Sequence, residues 1–235
     1  MAGWRLLPLW LLLAACSQQP LRDAAPLPVM PVQTAITAGQ WWRVCFRMPF
    51  DELQQPRWAM DNLLAVQVMA PLIVAHQQQI RLWRFHRRAA VDAAGHQFST
   101  WLYSDLATRE AIAASLAQHE LLQALQAEGL VQRVMVDCGA PDEPENLQAA
   151  SDGSWDARLQ KSWPWFMMGA SLHWLALMQE IELQLPPAPG QPQALLAHYQ
   201  QVNNELVQLW QLQGYHAYFH HLSALFGYRA LLMRF

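Results

Sequence analysis

Lysine is nearly missing from this chain of 235 residues: Lys161 is its only one. The other side-chain cations are arginines, and the formal net charge is −3. That combination leaves no polybasic footprint, so nucleic acid is not an expected partner. Charge of either sign is scarce, at 14% of residues, well below the roughly 25% of an average soluble domain. Solubility therefore rests partly on the plentiful glutamines. The three cysteines form no Cys-x-x-Cys pair, which removes zinc ribbons and thioredoxin-like redox centres. A phosphate-binding P-loop, a GxGxxG turn, a GxSxG elbow and an HExxH helix are all missing. No catalytic set is legible, and the expectation leans away from an enzyme.

What is present starts with an address. Arg5 precedes an apolar run from Leu6 to Ala15, which stops at Cys16. The run is too short to span a bilayer, which takes about 20 apolar residues, and has the length of a secretory signal. Leu13-Ala14-Ala15-Cys16 resembles the lipobox of bacterial lipoproteins. The resemblance implies cleavage after residue 15, a diacylglycerol on the Cys16 thiol and an acyl chain on the new amino terminus. No other cofactor is expected. Ser17, where an Asp would imply retention at the inner membrane, implies a lipid anchor on the periplasmic face of the outer membrane. The plainer alternative is an ordinary cleaved signal with a chance cysteine. Residues 16–39 are Pro-rich and aperiodic and read as a tether. In a polyproline-like state they reach up to about 70 Å, at about 3.1 Å per residue.

From residue 40 the hydrophobic period switches repeatedly. WWRVCFRMPF alternates Trp42, Val44, Phe46 and Met48 with Arg43, Cys45 and Arg47, as in a strand. A helical stretch follows Pro56, with a kink or a division into two helices expected at Pro71. Residues 80–88 and 96–105 read as strands. A helix capped by Asp105 or Thr108 runs to about Glu128 and stops at Gly129, and residues 130–138 form a last strand. The order β-α-β-β-α-β is that of a ferredoxin-like α+β domain over residues 40–138, with spatial strand order 4-1-3-2. Residues 139–160 read as an acidic surface loop. Residues 161–235 read as C-terminal helices: a buried one capped at Ser162, then one bent near Gly214 or two in succession. They are expected to cover the sheet face that the first two helices leave open.

Strand order 4-1-3-2 makes Cys45 and Cys138 neighbours, and an exported protein would pair them as a disulfide. Two free buried thiols are the alternative. Simple alternation nonetheless puts them on opposite faces, so a bulge, or Cys138 beyond the strand end, is required. Arg43, Arg47, Arg84 and His86 share the face opposite the aromatic one. As forked donors, the arginines suit a small anionic ligand, although pairing with Glu180, Glu182 or Glu205 is the plainer expectation. His216 and His220, four apart on a helix, have metal-ligand spacing. No acid falls in that helix, further ligands would have to come from His173 or His198, and half-buried amphipathic histidines are the simpler reading.

The stretch APLIVAHQQQIRLWRFHRRAAVDAAGHQFS, residues 70–99, resembles the thiopeptide-type domain of lantibiotic biosynthesis proteins. The resemblance implies strands near 80–88 and 96–104. The chain departs from that family's HLRLR-type sequence, having His96-Gln97-Phe98-Ser99-Thr100 instead, so no active-site residue carries over.

Taken as a whole, the sequence suggests a tethered interaction or accessory protein of the cell envelope. Its expected partners are the bilayer, through Cys16, and an envelope protein, with a homodimer through the sheet edge as a further possibility. The alternative is an envelope enzyme or small anionic-ligand binder using the Arg/His face. A contiguous apolar patch well above about 600 Å² favours association.

Overall fold

The computed structural model describes residue 26 and residues 39–88, 95–139 and 141–232. The lipobox, Cys16 and most of the tether lie outside the described residues. A four-stranded antiparallel sheet forms the centre: β1 (Gln40–Arg47), β2 (Leu82–Arg87), β3 (Gln97–Ser104) and β4 (Arg133–Val136). Its order is β2-β3-β1-β4, the 4-1-3-2 arrangement. The fold is α+β, with a helical region at the C-terminal end.

Alternation decides what each face does. Trp42, Val44 and Phe46 of β1 share a face with Phe98 and Leu102 of β3 and with Trp83 and Phe85 of β2. All are buried. Here Phe98 packs between Phe46 and Phe85 at ring distances of 6.2 and 5.3 Å. The Trp42 indole, which would otherwise be an unpaired buried donor, donates to Ser104 Oγ at 2.9 Å.

The first helical stretch answers the proline without breaking. α1 (Trp58–Leu63) passes into a π-helical segment, Leu64–Met69, and then α2 (Ala70–Ala75). Pro71 has no N–H, and its ring would clash with the carbonyl four residues back. Widening the preceding turn accommodates both. The stretch Trp58–Ala75 is apolar enough by length and composition to cross a membrane. In the fold its apolar residues Leu63, Leu64, Val68 and Met69 are fully buried instead.

The helix expected up to Glu128 is two helices, α3 (Leu106–Ala117) and α4 (Glu120–Ala127). His119 restarts it by accepting from the Leu122 N–H. Asp105 caps α3, accepting from the Thr108 N–H at 2.7 Å. Gly129, at φ +69°, ends α4: Leu130 N donates to Leu125 O and Gly129 N to Gln126 O. Glycine suits that left-handed position because it has no Cβ to clash.

α5 (Ala157–Glu182) begins earlier than Ser162. Asp156 is its cap, accepting from the Arg158 N–H, and Pro164 lies inside the helix. The Gln160 carbonyl, four residues before Pro164, accepts from Ser151 Oγ at 2.9 Å. α5 lies against edge strand β2, where Ser171 Oγ accepts from the Phe85 N–H at 3.0 Å. α6 (Pro192–Gly214) packs on α1. It continues through a π-helical segment, Tyr215–His220, into α7 (His221–Leu225).

The C-terminal helices thus build up beside β2 and over α1. Residues 141–150, which carry a short 3-10 helix, Leu147–Ala150, lie over the second sheet face. The Trp41 indole donates to Leu147 O and the Tyr103 hydroxyl to Glu145 O. The acidic stretch thus lies along this face, its backbone carbonyls accepting from two aromatic donors while Asp142, Glu143 and Glu145 stay exposed.

Candidate functional site

An apolar groove of about 1120 Å³ runs between α5 and the continuous α6-to-α7 helix. On α5 the lining residues recur at helical spacing: Trp165, Gly169, His173 and Leu177, with Phe166, Ala170 and Trp174 beside them. The opposite wall carries Leu206, Trp210, Phe219, Leu222 and Leu225. The groove is open, so Trp210 is 54% exposed and Phe219 52%. Gly169 leaves the floor low, since a Cβ there would meet nothing within 4 Å. The expectation of a buried α5 holds for one of its faces, where Met168, Leu175 and Met178 sit in the core. Its other face lines the groove, and Phe166 is 50% exposed.

Polar groups frame this groove. His173 Nε2 contacts the Tyr218 hydroxyl at 3.0 Å, and the Tyr218 ring stacks on Trp210 at 5.7 Å. Arg87 borders it from β2, its guanidinium 4.7 Å from the Trp58 ring and 5.2 Å from that of Trp174. Its Nε donates to Asp61 Oδ2 at 2.8 Å. Asp61 has no solvent contact, and its other oxygen meets His96 Nε2 at 2.9 Å. His96 Nδ1 accepts from the Arg57 N–H at 3.2 Å, so Nε2 carries the proton that reaches Asp61. One buried carboxylate thereby ties α1 to β2 and to the start of β3. A second polar group of side chains joins Tyr199, whose hydroxyl donates to Glu182 at 2.7 Å and accepts from Gln67 at 2.7 Å. Burial and the Glu182 charge push the Tyr199 phenol well above its ordinary value.

On the second sheet face, Arg43 of β1 and Arg84 of β2 both stand opposite Trp101 of β3. Their guanidinium carbons lie 4.5 and 4.7 Å from its ring centre. Arg43 donates to the Gly139 carbonyl, and Arg84 to the Ala150 carbonyl at 3.1 Å. The expected pairing with glutamates is not found. Glu182 engages Tyr199, with His198 3.5 Å away, and no ion pair among the described residues involves Arg43 or Arg84. Burial, then the Arg43 charge, push Arg84 down to about 10. Arg47 and His86 share this face but not the row. His86 lies opposite Ser99 and is exposed. Arg47 lines a separate hollow of about 310 Å³ with Met48, Phe50, Gln54 and His96.

Cys45 and Cys138 are brought to disulfide distance, their Cα atoms 6.2 Å apart. The conflict of faces disappears because β4 ends at Val136. Asp137 then takes a left-handed φ of +59°, which re-aims the chain so that Cys138 reaches back to Cys45.

His216, His220 and His221 form a ring cluster with centroids 5.1 to 5.4 Å apart. His216 and His220 stack nearly parallel, at 16°, presenting faces rather than nitrogens to one another. His173 and His198 turn to Tyr218 and Glu182 instead. Among the described residues no group of three or more His, Cys, Asp or Glu is placed to hold a metal ion.

Sequence reasoning did not single out Asp61, Arg87, Trp101 or the groove. A stripe of Trp, Phe, Gly and Ala along α5 was the available signal for the last.

No protein-family model matches the chain, and no curated protein does. Among solved structures it is similar to the tRNA dependent lantibiotic dehydratase MibB from Microbispora sp. 107891, with a TM-score of 0.40 and 18% identity. The match covers 63% of this chain and spans only 13% of the other. At that score and identity it assigns neither activity nor partner.

Proposed function

We propose that this protein is a lipid-tethered accessory protein of the cell envelope, whose α5/α6/α7 groove receives the apolar face of a helix from an envelope protein. The observation that carries the reading is the groove itself, open, about 1120 Å³ in volume and rich in aromatic side chains. Interfaces draw most of their binding energy from a few such anchors, with Trp prominent among them. Helix-in-groove recognition needs an apolar trough with a polar rim, and Arg87, Asn203, His173 and His221 supply polar groups at this one. The address is supported by the lipobox Leu13-Ala14-Ala15-Cys16 and by Ser17. The closeness of Cys45 and Cys138 suits an oxidising compartment. Cys16 would carry the diacylglycerol and acyl chain that hold the protein to the periplasmic face of the outer membrane. Several chains give stable anchoring where one does not.

Photo-crosslinking in intact cells tests the reading. With a benzophenone side chain at Phe219, one discrete protein adduct is expected in the outer-membrane fraction. The same probe at Gln123, on exposed α4, should give none. Adducts with lipid alone, or no difference between the two positions, would refute the helix-binding role. Palmitate labelling that survives Cys16→Ala would refute the anchor.

A further inference from the structure

The groove does not account for the opposite face of the sheet. There, Arg43, Trp101 and Arg84 occupy one row across three strands. Directly opposed side chains in such a row start about 5 Å apart. Arg84 and Trp101 are each 9% exposed, while Arg43 is partly open to solvent. Each arginine spends one terminal nitrogen on a backbone carbonyl, that of Gly139 or of Ala150. The remaining donors are the notable ones. The Nε atoms of both arginines and Nε1 of Trp101 are buried and have no acceptor.

Three unpaired buried N–H groups in one row are unusual, since most buried donors in a folded protein are satisfied. Water could satisfy the N–H groups but would leave two guanidinium charges uncompensated. Burial first, and then the Arg43 charge, hold the Arg84 value down. Arg43 is likewise pushed down, first by burial and then by Arg88. An oxyanion supplies acceptors and charge together. Guanidinium forks match its geometry, and bonds between ionised partners are the strong ones.

We propose that the Arg43–Trp101–Arg84 row is a binding site for a phosphate-class oxyanion, either free phosphate or a phosphomonoester headgroup. The ligand approaches from the Arg43 side, where the row is open to solvent. Arg43 and Arg84 hold its charge, and the Trp101 indole donates a neutral hydrogen bond. This site is independent of the groove and of the lipid anchor.

The test uses the purified full chain, labelled with nitrogen-15 at tryptophan, and follows the Trp101 indole N–H signal, assigned with Trp101→Phe. One arm titrates inorganic phosphate against chloride at matched ionic strength. The other adds phosphatidic acid vesicles against phosphatidylcholine vesicles. A saturable shift in either anionic arm, weakened about tenfold or more by Arg43→Gln, supports the site, on the scale of one lost charge-assisted hydrogen bond. A response to phosphate but not to vesicles assigns free phosphate, and a response to vesicles, with or without phosphate, assigns the headgroup. Arg43 is partly exposed, so Arg43→Gln keeps the test valid if Arg84→Gln fails to fold. No shift in either arm, or a shift that persists unchanged in Arg43→Gln, overturns the proposal.

Discussion

Asp61 shows how much one side chain can hold. Its carboxylate is fully buried and accepts from Arg87 at 2.8 Å and from His96 at 2.9 Å. Removing it strands the Arg87 charge between two tryptophans. Asp61→Ala is expected to cost about 3–5 kcal/mol, as breaking one partner of a buried pair does. Urea unfolding of the two proteins measures it, and a loss near zero would mean that the pair is dispensable. Asp105 works at a smaller scale. It is an exposed cap whose carboxyl is held below its ordinary value by the Thr108 side chain and N–H. Asp105→Ala is expected to cost about 1 kcal/mol at neutral pH. Because the folded value lies below 3.8, this contribution is complete above that pH and disappears as pH falls through the folded value. The gap between wild type and variant should therefore close in acid, which a series of urea titrations down to about pH 2 would reveal.

At the scale of elements, β1 and β4 carry the longest constraint. Cys45 and Cys138 are separated by 93 residues and sit at disulfide distance. In the chain-entropy model, closing so long a loop is worth about 4–5 kcal/mol. The Cys45→Ser, Cys138→Ser protein should melt well below the oxidised one and be insensitive to reductant. Equal melting temperatures would exclude the crosslink. The strands were legible because their apolar residues alternate, and β4's place beside β1 followed from element order alone. Asp105 and Gly129 were legible as a cap and a stop for the same local reason. The break at His119, the cap at Asp156 and the π-helical turn ahead of Pro71 were not. Each depends on how one turn satisfies its own backbone groups, and several neighbouring residue types would serve equally well. Arg43 and Arg84 could be placed on one face by counting. Their convergence on Trp101 depended on strand register across β1, β3 and β2, which no local pattern contains.

For the whole molecule, the question is whether the open side of α5 is a binding surface or only an incompletely covered core. Period-3.6 patterning identifies an apolar stripe but not what lies against it, which is why α5 read as simply buried. Gly169 separates the two possibilities. It is a helical glycine at the groove floor, and a Cβ there meets nothing within 4 Å. Gly169→Ala should therefore raise stability by about 1 kcal/mol, through helix propensity alone. Gly169→Leu should also fold, since its side chain extends into empty space, but it would occupy the volume intended for a partner. Leu225 offers a complementary change on the opposite wall. It is 82% exposed, so Leu225→Asp should shift stability by no more than about 0.5 kcal/mol. If the groove binds a helix, the two substitutions abolish the Phe219 crosslink by different means, one through bulk and one through a charge that would be buried unpaired. Thermal melts would show both proteins folded. Retention of the adduct in folded Gly169→Leu would place the contact elsewhere and leave the groove as a packing defect. Loss in Gly169→Leu with retention in Gly169→Ala would tie recognition to the depth of the floor rather than to any general change in α5.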